Sequence, residues 1–133
     1  MEKYKILEHP ADLKIKAFGQ NFEEVFSNLL LGMFKSLRPK LAKEKAEREI
    51  KIEAQDRESL LVDFLSEALT FSDVNDEVYF KVKFEKFTDK MLKGKLTGFK
   101  VKSLGLEIKA VTWHNLKIEK ENNFLTATVL FDI

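Results

Sequence analysis

Apolar residues in the stretch 22–37 recur with the period of an α-helix. Phe22, Val25, Phe26, Leu29, Leu30, Met33, Phe34 and Leu37 fall at i, i+3, i+4, i+7, i+8, i+11, i+12 and i+15. Asn21 with Glu24 three residues on has the form of a capping box. Arg38-Pro39 ends the helix, because the residue before proline is pushed out of the α region. A second helix is read in DRESLLVDFLSEALTFS, with Asp56 as its N-cap. There Leu61, Phe64, Leu65 and Ala68 make one face, widened by Leu60, Val62 and Leu69. Elsewhere the period is two, which predicts strands. They are YKIL (4–7), LKIKAF (13–18), EREIKIEA (47–54), VYFKVKFEKF (78–87), KMLKGKLTGFKV (90–101), LEIKAV (106–111), NLKIEKE (115–121) and FLTATVLFDI (124–133). LEHPAD, SDVNDE and ENN read as turns, and KLAKEKAER as a charged connection. Both helices carry more apolar surface than one sheet face covers. The economical arrangement is an α+β fold: two helices layered against, or between, mostly antiparallel sheets, in a single domain spanning 1–133.

Composition bounds this picture without changing it. A chain of 133 residues is one domain by size, and its hydrophobic fraction of 44% supports a substantial core. Phenylalanine is used 12 times, so that core is strongly aromatic. No cysteine is present, which excludes disulfides and thiolate metal sites. The start of the chain has no long apolar run of the secretory kind, and VFSNLLLGMF is too short to span a bilayer. A soluble, cytoplasmic protein without membrane attachment is expected. The net charge of +1 argues against a surface built to grip phosphate backbones, so no stable direct binding of nucleic acid is expected. The one basic stretch, KMLKGKLTGFKVK (90–102), reads first as a solvated hairpin.

Few residues suggest chemistry. No Gly-rich phosphate loop is found, and no nucleophile motif. His9 and His114 are the only histidines, and each reads first as a hydrogen-bonded structural residue. Trp113-His114 could equally form an interaction surface. Glu67 and Asp63 lie in the second helix at i, i+4, where the solvent face is the simpler reading. Lys109 is out of phase with Leu106, Ile108 and Ala110, which fits a solvated strand face. Asp12 and Asp132 are more suggestive. Asp12 enters a strand after a proline turn. Asp132 alternates against Phe131 and Ile133, next to the last residue. Hard divalent cations take several oxygen ligands; two Asp side chains, the α-carboxylate of Ile133 and water would serve. The two Asp are 120 residues apart, so spacing alone does not bring them together.

Four stretches in order resemble the archease family: LEHPADLKIKAFGQNFEEVFSNLLLGMF, LLVDFLSEAL, IKAVTWHNLKI and the closing VLFDI. The likeness covers nearly the whole chain. The family pattern near the first stretch is closer to H-T-A-D-V-G-I; here Pro10 stands for Thr and Lys14 for Gly, while Asp12 is kept. The resemblance implies an accessory protein of the RtcB-type RNA ligase, which joins RNA ends in tRNA splicing and repair. Such proteins promote guanylylation of the ligase, allow multiple turnover and broaden its NTP use. The resemblance also implies a divalent metal, Ca²⁺ foremost, bound by Asp12, Asp132 and Ile133, with Lys109 and Glu67 as functional residues nearby. On this reading the protein is not an enzyme. A chaperone-like binding module for RNA-modifying enzymes, with a purely structural metal, is the alternative. A metal-dependent hydrolase acting alone is a third class, and it lacks a convincing base or nucleophile.

Overall fold

The computed structural model describes residues 2–7 and 12–133. Seven strands and two helices follow in the order β1 (Tyr4–Leu7), β2 (Leu13–Gly19), α1 (Phe22–Ser36), β3 (Pro39–Glu53), α2 (Arg57–Asn75), β4 (Glu77–Phe87), β5 (Met91–Leu104), β6 (Ala110–Glu121) and β7 (Phe124–Asp132). They form two antiparallel sheets, one of four strands in the order β1-β2-β7-β6 and one of three in the order β3-β5-β4. The α+β class expected from the periodicity is the one observed. Among the described residues, no helix is long and apolar enough to cross a membrane.

Each helix touches both sheets, which is why both are apolar over so much of their girth. Helix α1 lies on β1, β2 and β7 of one sheet and on β4 of the other. Val25, Phe26, Leu29, Leu30, Met33 and Phe34 are all fully buried. Helix α2 packs on β3, β4 and β5, and on β6 of the first sheet. Aromatic edges knit the layers together. Phe26 meets Phe87 at 4.9 Å and Phe34 meets Tyr79 at 5.4 Å, both edge-on, the arrangement that ring quadrupoles favour.

The caps are as the sequence requires. The Asn21 side chain accepts from the Glu24 backbone N–H at 2.8 Å, while Glu24 accepts from the Gln20 N–H. Asp56 accepts from the Ser59 N–H at 2.7 Å. These bonds hold the Asp56 carboxyl below the usual carboxylate range. Helix α1 ends at Leu37, before Arg38 in the left-handed region.

Four local expectations change. Helix α2 runs on through Asp73-Val74-Asn75, where a turn was expected; no Pro or Gly interrupts it, and left-handed Asp76 closes it by donating to the Ser72 carbonyl. The charged connection KLAKEKAER belongs to strand β3, an edge strand paired with β5 through a bulge at Lys40–Lys45. Solvent on its outer side lets the charges stand without apolar alternation. The basic stretch is no self-contained hairpin but the body of β5, the central strand. Its Lys93, Lys95 and Lys100 are exposed; Lys93 and Lys95 lie near Glu85 and Glu47, and Lys100 near the buried Glu77. LEIKAV and NLKIEKE are not two strands: β6 begins at Ala110 and continues past an irregularity between Thr112 and Lys117.

Candidate functional site

Strand β7 is central in its sheet, and its last residue meets a neighbour on each side. On β2 the register pairs Leu13 with Phe131 and Lys14 with Leu130. Asp12 precedes Leu13 and Asp132 follows Phe131, so the two flank the last recorded pair at the same end of the β2–β7 ladder. The register thereby brings two residues 120 apart in sequence to one end of the sheet. On the other side Ala110 pairs with Asp132. The Lys109 backbone N–H donates to the Asp132 carbonyl at 2.7 Å. Asp132 and Ile133 are exposed, whereas Phe131 is fully buried. Three features therefore meet at one edge of the first sheet: the entry of β2, the exit of β7 and the entry of β6.

Like charges brought together on neighbouring strands destabilise a sheet. A cation between them reverses that effect. The donors here are all carboxylate oxygens, the set that hard divalent ions prefer over transition metals. Among the described residues, no group of three or more Asp, Glu and His side chains converges to hold a metal. Any cation held by Asp12 and Asp132 would need further oxygen donors, water among them, to complete its coordination shell.

The other sequence-predicted residues divide between two further surfaces. Lys109 is exposed and lines a cavity of about 450 Å³ with Leu37, Thr70, Asp73, Glu107 and Ile108. Glu67 is half-buried and lines a separate groove with Asp63, Lys51 and Glu53. Ser66 and Thr70 belong to both linings, so helix α2 is the wall between them. Neither lining includes Asp12, Asp132 or Ile133. The structure thus joins Lys109 to Asp132 through the backbone, while Glu67 lines the neighbouring groove on α2. His9 lies outside the described residues. His114 is exposed within the β6 irregularity, where residues 113–116 stand opposite Val129 alone. Trp113, 53% exposed, projects from the same place, and Asn115 there takes a left-handed conformation.

One polar group was not foreseen. Glu77 is buried, yet charged partners surround it. Arg48 donates to both its oxygens, at 2.8 and 3.0 Å. The Tyr79 hydroxyl donates to Oε1 at 2.7 Å, and the Lys100 Nζ stands 3.4 Å from Oε2. The Arg48 hydrogen bonds hold the Glu77 carboxyl down at about 2. Burial, and next its bond to Glu77, push the Tyr79 hydroxyl up; the Glu77 bond raises Arg48. The signal was present: Glu77 shares the buried face of its strand with Tyr79, two residues on. Alternation was read only from Val78 onward.

The family model described as "Archease protein family (MTH1598/TM1083)" matches residues 4–133. The chain belongs to the archease family. Protein archease of Methanosarcina mazei is 38% identical over 142 residues, covering 99% of this chain and 97% of its relative. Protein archease of Pyrococcus abyssi is 38% identical, covering 90% of each chain. Among solved structures, the solution structure of Methanobacterium thermoautotrophicum protein 1598 superposes with a TM-score of 0.75 at 33% identity over the whole of both chains. A crystal structure from Thermotoga maritima, described as an archease and possible chaperone, gives a TM-score of 0.71 at 25% identity, covering 97% of this chain and 96% of that one. Archease membership therefore holds in sequence and in fold.

Proposed function

We propose that the protein is an accessory factor of an RtcB-type RNA ligase and no enzyme in its own right. It promotes guanylylation of the ligase and multiple turnover, and broadens the NTPs that the ligase accepts in tRNA splicing. The observation that supports this reading is the antiparallel β2–β7 register, whose last pair, Leu13 with Phe131, is flanked by Asp12 and Asp132, in a chain of the archease family. Asp12, Asp132 and the α-carboxylate of Ile133 would hold a divalent cation, Ca²⁺ in the first instance. When bound, the cation would supply positive charge where phosphate charge develops. The protein's own part is to present that end as a rigid edge. Phe131 and Leu13 are anchored in the core, so the carboxylates have little room to wander. Lys109, whose backbone N–H bonds the Asp132 carbonyl, would carry an exposed ammonium that orients the carboxylates or meets a phosphate oxygen. Glu67, across α2, acts on the same partner from a second surface.

The deciding experiment is multiple-turnover ligation by the partner ligase with GTP and metal. The wild-type protein is compared with Asp132→Ala and with a chain extended by two residues after Ile133, each checked for folding. Loss of activation in both folded variants is expected. Normal activation by both would overturn the reading.

A chaperone-like binding module is the second reading. The description of the Thermotoga maritima relative as a possible chaperone favours it, as does the exposed Trp113. Here a cation only staples the end of β7 to β2. Metal removal would then lower thermal stability while activation of the ligase survives.

A further inference from the structure

The far end of β7 carries a second feature, which the reading above leaves unused. Strand β7 is nine residues long from Phe124 to Asp132, so at about 3.3 Å per residue its ends lie on the order of 25 Å apart. A cleft of about 600 Å³ opens there, between the start of α1, the start of α2 and the β6–β7 hairpin. Its half-buried lining is Phe22, Arg57, Ile118, Phe124 and Leu125. Its exposed rim carries amides, Gln20, Asn122 and Asn123, and charges of both signs, Glu58, Glu119 and Lys120.

Arg57 is the unusual residue. Its guanidinium carbon lies over the Phe22 ring, 3.8 Å from the centroid. Its Nε is sealed from solvent and has no hydrogen-bond partner among the described residues. A buried donor left unpaired destabilises the fold. Guanidinium differs from ammonium in offering a planar fork of donors that matches a carboxylate in two parallel bonds. A stacked guanidinium is also already oriented, so less freedom is lost when an anion arrives.

We propose that this cleft binds a monocarboxylate carried on an apolar body, with Arg57 gripping the carboxylate and Phe22, Ile118 and Phe124 covering the body. The volume falls in the range of small-molecule sites. The rim excludes the more highly charged alternative: its Glu58 and Glu119 offset Lys120, and a dianionic phosphate would meet them unfavourably. Two sources share this chemistry, a free apolar acid and the C-terminal carboxylate of a peptide.

The test is titration of the isotope-labelled full chain, followed by backbone and arginine Nε–H resonances. The probes are 3-phenylpropionate, its neutral amide, phenyl phosphate, and an alanyl-alanyl-phenylalanine peptide with a free or amidated C-terminus. Saturable shifts confined to residues 118–125, Phe22 and the Arg57 Nε–H are expected from the free acids and not from the amides. Arg57→Gln, shown folded by its own spectrum, should bind about tenfold more weakly. Arg57→Lys should fall between the two. Tighter binding of phenylpropionate than of peptide assigns the site to a free acid, and the reverse assigns it to a chain terminus; either supports the proposal. Equal binding of acid and amide, preference for phenyl phosphate, or unchanged binding by Arg57→Lys would overturn it. The amide comparison decides even if Arg57→Gln fails to fold.

Discussion

At the residue scale, Glu77 makes the sharpest demand on the fold. A buried carboxylate is tolerated only where its partners replace water, and here Arg48, Tyr79 and Lys100 do so. Glu77→Gln removes the charge that holds them. We expect a loss of about 3 kcal/mol, at the low end for a buried pair because Arg48 is partly open to solvent; urea unfolding measures it. The pH dependence has a definite sign. Glu77 titrates at about 2 when folded, against an ordinary value of 4.5. Its contribution is complete above 4.5 and is lost as pH falls toward 2. The wild-type protein should weaken across that window, and the stability difference from Glu77→Gln should shrink in step. A difference that stays constant between pH 5 and pH 2.5 would contradict the network. Sequence reasoning reached Asp12 at a strand entry after a proline turn and Asp132 in an alternating run beside Ile133, and the family resemblance implied their cation role. It passed over Glu77 because SDVNDE reads as a turn, where charges face solvent.

At the element scale, the close approaches of the second sheet constrain single positions. Strand β4 is irregular between Tyr79 and Lys81 and between Phe84 and Lys86, and β5 places Gly98 and Gly94 against those sites. A Cβ at Gly98 would fall onto the Val78 carbonyl, and one at Gly94 would lie 2.5 Å from the Lys83 carbonyl. Backbone cannot yield as a side-chain tip can. Gly98→Ala is therefore expected to lower stability by about 1–3 kcal/mol or more, seen as a fall in the thermal midpoint. Unchanged stability would mean that β4 has room to shift. Asn21→Ala tests a different kind of end. Removing its bond to the Glu24 N–H should cost about 1 kcal/mol and increase hydrogen exchange in the first turn of α1. Both helices and most strands were legible in the sequence, because period and caps are local properties. The extent of β3 was not, since an edge strand keeps polar residues on the side no partner covers. The continuous β6 was not either, because its irregularity interrupts the alternation just where a strand boundary would.

At the scale of the whole molecule, the first sheet brings the entry of β2 and the exit of β7, from opposite ends of the sequence, to one end of the same sheet. If Asp12, Asp132 and Ile133 hold a cation, Ca²⁺ should raise the thermal midpoint of the wild-type protein, by roughly 2.7 kcal/mol at a hundred times its Kd. A chelator should reverse the rise. Asp132→Ala should not respond, and neither should the chain extended beyond Ile133, because its α-carboxylate is displaced. An equal Ca²⁺ response in all three proteins would remove the carboxylates from the site. This measurement needs no ligase, so it separates cation binding from activation. Arg57, at the other end of β7, predicts a ligand response independent of Ca²⁺, which sets the two ends apart experimentally.

The sequence by itself determined the helices, their caps, the predominance of strands and the kinship with archeases. These follow from periods of 3.6 and 2, from capping chemistry and from the order of four motifs. It also singled out Asp12 and Asp132, but not that they lie at the same end of one strand pair. Only the tertiary structure decided that, since antiparallel register is a relation between strands that no local pattern encodes. The same holds for the two linings on either side of α2, one with Lys109 and one with Glu67, which depend on which sides of α2 the two sheets leave open. It holds too for Arg57, an ordinary N-terminal helix residue in sequence. Its stacking on Phe22 exists only because α1, α2 and the β6–β7 hairpin converge.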